Sequence, residues 1–296
     1  MKHNFFIICG GYACGTTFLS ESLKQHPQIR LIKKEDGREY NFFVNDFLYQ
    51  KKGIEWYKKF FKKNNNKIII EHSSQLFSSK KGLNRLYKFD KKVKLIIVLR
   101  DRISRTWADY RYSVLNGWEK LSFYKAITTE RERNKKLNKV LKRIKPFSYL
   151  DRSNYTKYLK HIFKKFNNTN ILIINSEDLN KNPDINFKKI FNFLNVKNIK
   201  LKKVPSFSSF YVKDKLKQSL LRKQFKNNLN PIIEKIRSRK KIETKNFSSL
   251  QKKKLLELKR NIQYKVPKIP INSEKYLTKY YLKTKTKLKN LTSFDL

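Results

Sequence analysis

The chain has 296 residues, with 71 Lys plus Arg against 23 Asp plus Glu, a formal net charge of +48. That length holds one large or two small domains around a sizeable core, and a hydrophobic share of 39% with 22 Phe and 16 Tyr excludes a disordered chain despite the charge. Seven Gly and seven Pro exclude collagen-like or linker-dominated architectures.

At the start, Met1-Lys2-His3-Asn4 followed by Phe5-Phe6-Ile7-Ile8 has the outline of a targeting signal. The apolar run stops after about five residues, short of the ~7–15 that a signal peptide needs. It reads instead as a buried strand over 4–9 that ends in a glycine turn, and a cytoplasmic location is expected. Three later runs, KIIIE at 67–71, VKLIIVL at 93–99 and NILII at 170–174, are short, β-branched and bounded by polar residues, as buried strands are. Helical spacing covers 16–26, 53–62, 81–89, 101–115, 121–143 and 152–166, and Asn182-Pro183-Asp184 opens one more helix. Strands alternating with helices predict an α/β fold of the P-loop type, three layers with a central parallel sheet flanked by helices. Residues 1–205 make up this core. Residues 206–296 carry no buried-strand run and read as a basic, mainly helical extension packing on it, through Leu216, Leu220-Leu221, Ile232-Ile233 and Leu255-Leu256.

Only 15 of the basic residues are Arg, and Lys, Asn, Ile, Phe and Tyr are over-used together. An evolved nucleic-acid surface favours the bidentate Arg fork, so much of the charge reads as compositional bias, and no specific nucleic acid is expected as a partner. The field still attracts polyanions in a salt-dependent way. Cys9 and Cys14 lie too close together for a secreted disulfide framework, and with only four His no metal site is expected. No run of about 18 apolar residues is present, so no transmembrane segment is expected.

The strongest chemical signal is Gly10-Gly11-Tyr12-Ala13-Cys14-Gly15-Thr16-Thr17, between the first strand and the first helix. Gly10 and Gly15 have the spacing of a P-loop, whose backbone N–H groups and helix N-terminus face an anion. A nucleoside triphosphate loop would carry Lys after the second glycine; here Thr16 stands there, which disfavours a kinase. A glycine turn that merely caps the helix is the plainer alternative.

This loop, continuing to His26-Pro27, resembles the 5′-phosphosulfate loop of the sulfotransferase superfamily, closest to its glycan- and heparan-sulfate-type branch. Val98-Leu99-Arg100-Asp101 resembles that branch's 3′-phosphate motif. Arg38-Glu39-Tyr40-Asn41-Phe42-Phe43 is similar to a segment whose Glu is the proposed base, and Glu71-His72-Ser73-Ser74-Gln75-Leu76-Phe77 to one with Lys in place of His72. Arg152-Ser153-Asn154-Tyr155 resembles the family's Gly-x-Tyr helix start, and Ile173–Leu179 its strand ending in Glu-Asp-Leu. The resemblance spans residues 4–196.

The resemblance implies 3′-phosphoadenosine 5′-phosphosulfate (PAPS) as co-substrate and transfer of its sulfuryl group to a hydroxyl or amine of a carbohydrate-like acceptor. An acidic sugar would suit the basic surface. Ala13, Cys14, Gly15, Thr16 and Thr17 would line the phosphosulfate, Arg100 the 3′-phosphate, and Tyr155 would approach the nucleotide. Glu39 would be the base, or else a surface carboxylate. His72 would be a replacement cation or a base, or else a capped side chain. Arg100 has an ion pair with Asp101 or another sheet-edge acid as its alternative, Tyr155 a place in the core, and Cys14 a simple packing role. Two family positions are altered: the loop lysine falls on Ala13 and a 3′-phosphate serine on Ala108. Losing one such donor can cost ~3–4 kcal/mol of transition-state stabilisation. The two alanines leave open a catalytically weakened sulfotransferase fold that holds polyanions.

Overall fold

Five short segments, β1 (Phe5–Gly10), β2 (Ile29–Ile32), β3 (Ile68–His72), β4 (Lys94–Leu99) and β5 (Ile171–Asn175), form one parallel sheet in the order β2-β3-β1-β4-β5. The computed structural model describes residues 5–34, 39–62, 67–115, 118–138, 146–202 and 267–296. Every residue of β1 and β3 is buried, as strands in the middle of a parallel sheet covered on both faces must be. The expected α/β fold with a central parallel sheet is the one observed. β2 was not among the expected strands. It is an edge strand of four residues paired only with β3, and Arg30 and Leu31 between its buried ends are only half-buried.

The helices follow in chain order: α1 (Thr16–Leu23), α2 (Gly53–Lys62), α3 (Lys80–Phe89), α4 (Arg102–Leu115), α5 (Phe123–Thr128), α6 (Glu130–Lys135), α7 (Tyr149–Arg152), α8 (Tyr155–Phe163), α9 (Ser176–Lys181), α10 (Pro183–Leu194), α11 (Ile271–Leu282) and α12 (Lys285–Thr292). Two expected helices differ in extent. The 121–143 stretch splits at Thr129, whose φ of −100° and ψ of 6° leave the helical region, and 139–145 lie outside the described residues. The helix expected over 152–166 begins later, as α8 at Tyr155, because the Asn154 side chain accepts the Lys157 N–H and caps its start, while Arg152 ends α7. Residues 203–266, with Leu216, Leu220-Leu221, Ile232-Ile233 and Leu255-Leu256, lie outside the described residues.

The chain groups into two compact units, one of residues 1–105, 152–207 and 280–296, the other of 106–151 and 208–279. In the first, the sheet and its covering helices share one hydrophobic core that takes in Leu288 and Leu296. Buried Arg102 fixes the C-terminal segment, donating to the Leu296 and Tyr281 carbonyls at 2.9 and 3.1 Å and to Thr284 Oγ1 at 2.7 Å. In the second, the buried Glu119 carboxylate receives both terminal nitrogens of Arg133 and the Tyr149 hydroxyl, which satisfies its charge.

Within the first unit, the carboxyl ends of β1, β3, β4 and β5 lie along one edge of the sheet, where α/β proteins place their sites. The strand order reverses across β1 and β4, so the turn after β1 and Arg100 after β4 stand at the switch point.

Candidate active site

The turn after β1 is shaped by steric demand. A Cβ on Gly10 would sit 2.2 Å from the Val98 carbonyl oxygen of the paired strand, so only glycine fits. Gly15, at φ 87°, starts α1 from the left-handed region, and Ala13 adopts φ 64° despite its Cβ. The Gly11 N–H is spent on the Val98 carbonyl and the Cys14 N–H on the Gly11 carbonyl. The first-turn N–H groups of α1 keep their usual lack of helical partners and give the turn its anion-facing character. Gly15 and Thr17 are exposed, Thr16 is buried, and Ala13 is half-buried. Cys14 is buried, and desolvation pushes its thiol up to about 11, so it is a protonated packing residue and offers no nucleophile.

Arg100 follows β4, one-third exposed. Its Nε donates to Glu177 Oε1 at 3.1 Å, and the same carboxylate takes the Asp101 N–H at 3.2 Å. Asp101 itself caps α4 by accepting the Ser104 N–H at 2.7 Å, so the partner of Arg100 is Glu177. Among the described residues only Nε is engaged, and the two terminal nitrogens of the fork suit an anion. Tyr155 has the place in the core that its helical spacing allows. Its ring is fully buried, its hydroxyl donates to the Arg100 carbonyl at 3.1 Å and lies 3.3 Å from Cys14 Sγ. It braces the loop against the end of β4.

Beside β3 the chemistry is acidic. Glu39, about one-fifth exposed, accepts the Ser74 N–H at 3.0 Å and the Ser74 hydroxyl at 2.8 Å. His72 is buried, with Nδ1 3.3 Å from Ser20 Oγ on α1 and Nε2 3.1 Å from Glu39 Oε1. That second contact is close in distance but off the direction of a hydrogen bond, so among the described residues Nε2 makes none. Burial lowers the His72 pKa, the Glu39 carboxylate opposes this, and Lys33 adds to the lowering. The expectation that His72 replaces the missing cation therefore meets a physical objection: its site disfavours imidazolium. Glu71, next to it, is fully buried and takes the Phe42 N–H at 3.1 Å and the Tyr57 hydroxyl. Desolvation pushes its pKa up to about 7. Arg38, the residue before Glu39, lies outside the described residues.

A model of the sulfotransferase domain matches residues 4–266. The chain belongs to the sulfotransferase-domain family. It is 31% identical over 194 residues to heparan sulfate glucosamine 3-O-sulfotransferase 5 of Mus musculus, a match covering 64% of this chain and 53% of that protein. It is 34% identical over 113 residues to the membrane-associated sulfotransferase kil1 of Dictyostelium discoideum, over 37% of this chain and 23% of that protein. The chain thus spans about half the length of the first relative and about a quarter of the second. The crystal structure of a sulfotransferase from Alicyclobacillus acidocaldarius superposes with a TM-score of 0.57 at 21% identity, covering 79% of this chain and 96% of that one, and shows the shared fold. Among the described residues no helix is long and apolar enough to cross a membrane.

Within this sulfotransferase domain the altered positions are plain. Ala13 is the third residue of the turn and carries no charge, and Ala108 is buried in α4. Several residues at the site escaped sequence reading. Ser74 grips Glu39, Ser20 contacts His72, and Glu177 holds Arg100. Phe18 was missed as well. It follows Thr17 directly and lines a groove of about 890 Å³ with Leu179, Phe187 and Phe191 on its apolar side and Lys181 and Lys188 among its charged residues. An aromatic directly after Gly-Thr-Thr was the available signal; the serines offered none.

Proposed function

We propose that the chain is a sulfotransferase that moves a sulfuryl group from PAPS to a hydroxyl or amine of a carbohydrate-like acceptor. One observation carries this reading: a held carboxylate, Glu39, and a half-engaged guanidinium, Arg100, flank the same glycine turn at the carboxyl edge of one sheet. The residues suit the donor. The fork of Arg100 suits its 3′-phosphate, the Gly15-Thr16-Thr17 turn its phosphosulfate, and the groove at Phe18 an adenine ring. When bound, PAPS supplies the sulfuryl group and a phosphate leaving group.

The chain's own side chains do the rest. Glu39 takes the acceptor proton, with Ser74 fixing its carboxylate for that task. Thr16 and Thr17 offer N–H groups to the oxygens that gain charge during transfer. Glycan acceptors are supported by the likeness to the mouse heparan sulfate enzyme, and an acidic glycan by the net charge of +48.

The test is transfer of radioactive sulfur from labelled PAPS to heparan-type oligosaccharides, with a neutral glycan as control. Labelled oligosaccharide, absent with Glu39→Gln, is the expected result. Absence of label on any hydroxyl or amine acceptor, from a folded protein, would contradict it.

A further inference from the structure

His72 ends β3 beside Glu39, 2% exposed, and its two ring nitrogens face different elements. Nδ1 is 3.3 Å from Ser20 Oγ on α1, and Nε2 is 3.1 Å from Glu39 Oε1. Ser20 decides which nitrogen carries the hydrogen. Its hydroxyl has one to give and donates it to the Thr17 carbonyl at 3.1 Å, in the same helix. Toward His72 that oxygen then only accepts, so Nδ1 bears the N–H and Nε2 of the neutral ring is a bare acceptor.

A bare nitrogen and a carboxylate oxygen 3.1 Å apart repel each other, and burial strengthens the repulsion. One proton between them turns it into a charge-assisted hydrogen bond. The contact is within reach and out of line, as catalytic hydrogen bonds often are before substrate binds. Charges face this pair from each neighbouring element. Glu21 of α1 and Lys33, just after β2, are bonded to one another, and Glu71 of β3 lies beside Glu39. Burial and Lys33 keep the ring neutral at rest, while Glu39 and Glu21 favour its taking a proton.

We propose that Glu39 and His72 act as one base, Glu39 meeting the acceptor hydroxyl and His72 Nε2 sharing the proton that Glu39 takes. This rests on the reading of Glu39 as the base and adds the group that strengthens its pull. As the acceptor oxygen bonds to sulfur, its O–H bond breaks and the proton passes to Glu39 and is shared with Nε2; the electron pair of the broken S–O bond leaves with the phosphate. His72 acts through Glu39 and is a positioning residue. The Ser20 and Thr17 contacts hold its Nδ1–H, so Nε2 stays the open end of the ring.

The test is a pH titration of the full chain by NMR with nitrogen-labelled histidine, the His72 resonances being identified by their contact with Ser20. The expected result is a neutral ring protonated on Nδ1, whose Nε2 resonance moves as pH falls. In Glu39→Gln that movement should shift to lower pH by about one unit or more. An Nε2–H tautomer at neutral pH, an Nε2 resonance that stays fixed while the protein is folded, or a midpoint unchanged in Glu39→Gln would overturn the shared proton. In the transfer assay, the acid limb of the pH–rate profile should lie about one unit lower in His72→Gln than in wild type; coincident limbs would show that His72 only fills space. The titration needs no donor or acceptor, so a failed transfer assay beside a moving Nε2 resonance overturns the enzyme reading, and a fixed resonance beside working transfer overturns the pair.

Discussion

At the ends of β1 and β4 the site is made of backbone amides and arginine, whereas beside β3 it is made of carboxylates and an imidazole. The first corner holds its shape through close packing, with Gly10 against Val98 and the Tyr155 hydroxyl bridging the loop and Arg100. The second holds through hydrogen bonds to carboxylates: Ser74 to Glu39, and Tyr57 and Phe42 to Glu71, with the His72 ring beside them. A phosphate is permanently charged at neutral pH and needs fixed donors. A base must change protonation state, and so is set among groups whose pKa values can move.

That contrast can be broken experimentally, starting at the base. Glu39→Gln is expected to lower the transfer rate by about 10²–10⁴. Its affinity for 3′,5′-adenosine bisphosphate should stay unchanged, because the carboxylate serves the acceptor and not the nucleotide. Arg100→Ala inverts the pattern. Losing a charge-assisted fork should cost about 1.5–3 kcal/mol of affinity for the bisphosphate, with 5′-AMP unaffected. Equal losses for both nucleotides would show that Arg100 only supports the fold.

Glu71 sharpens the comparison through pH. Its carboxyl rises from an ordinary value near 4.5 to about 7 on burial. The folded state thus favours the protonated form, and the stability this gives is complete below about 4.5 and lost as pH rises through about 7. The loss is roughly 3 kcal/mol across that window. Chemical denaturation of Glu71→Gln at a series of pH values should show a flatter profile than wild type; identical profiles would mean that Glu71 ionises freely. Smallest of all, Tyr155→Phe removes one hydroxyl bridging the loop and β4 and should cost about 0.5–1.5 kcal/mol of stability by denaturant titration.

Which parts were legible in the sequence follows from how each is encoded. KIIIE and VKLIIVL declare themselves because strands buried on both faces need continuous apolar runs. IRLI at the sheet edge is half-buried, and Arg30 breaks the run, so β2 gave no such sign. The break of the 121–143 helix at Thr129 is a single backbone departure inside a helical pattern. At the site, the glycine turn and Arg100 stood out because their spacing is local. The grip of Ser74 on Glu39 joins residues 35 apart, and the pairing of Arg100 with Glu177 joins residues 77 apart, so neither leaves a local pattern. For Tyr155, helical spacing marked a place in the core, but not that its hydroxyl ends on the Arg100 carbonyl.

The most direct measurement is calorimetric binding of 3′,5′-adenosine bisphosphate at near-physiological salt, with ADP as the control for the general pull of a +48 chain on anions. Clear preference for the bisphosphate, lost in Arg100→Ala, is the result expected of a working donor site. Equal, weak binding of both nucleotides would contradict it and leave a basic fold that holds anions by charge alone.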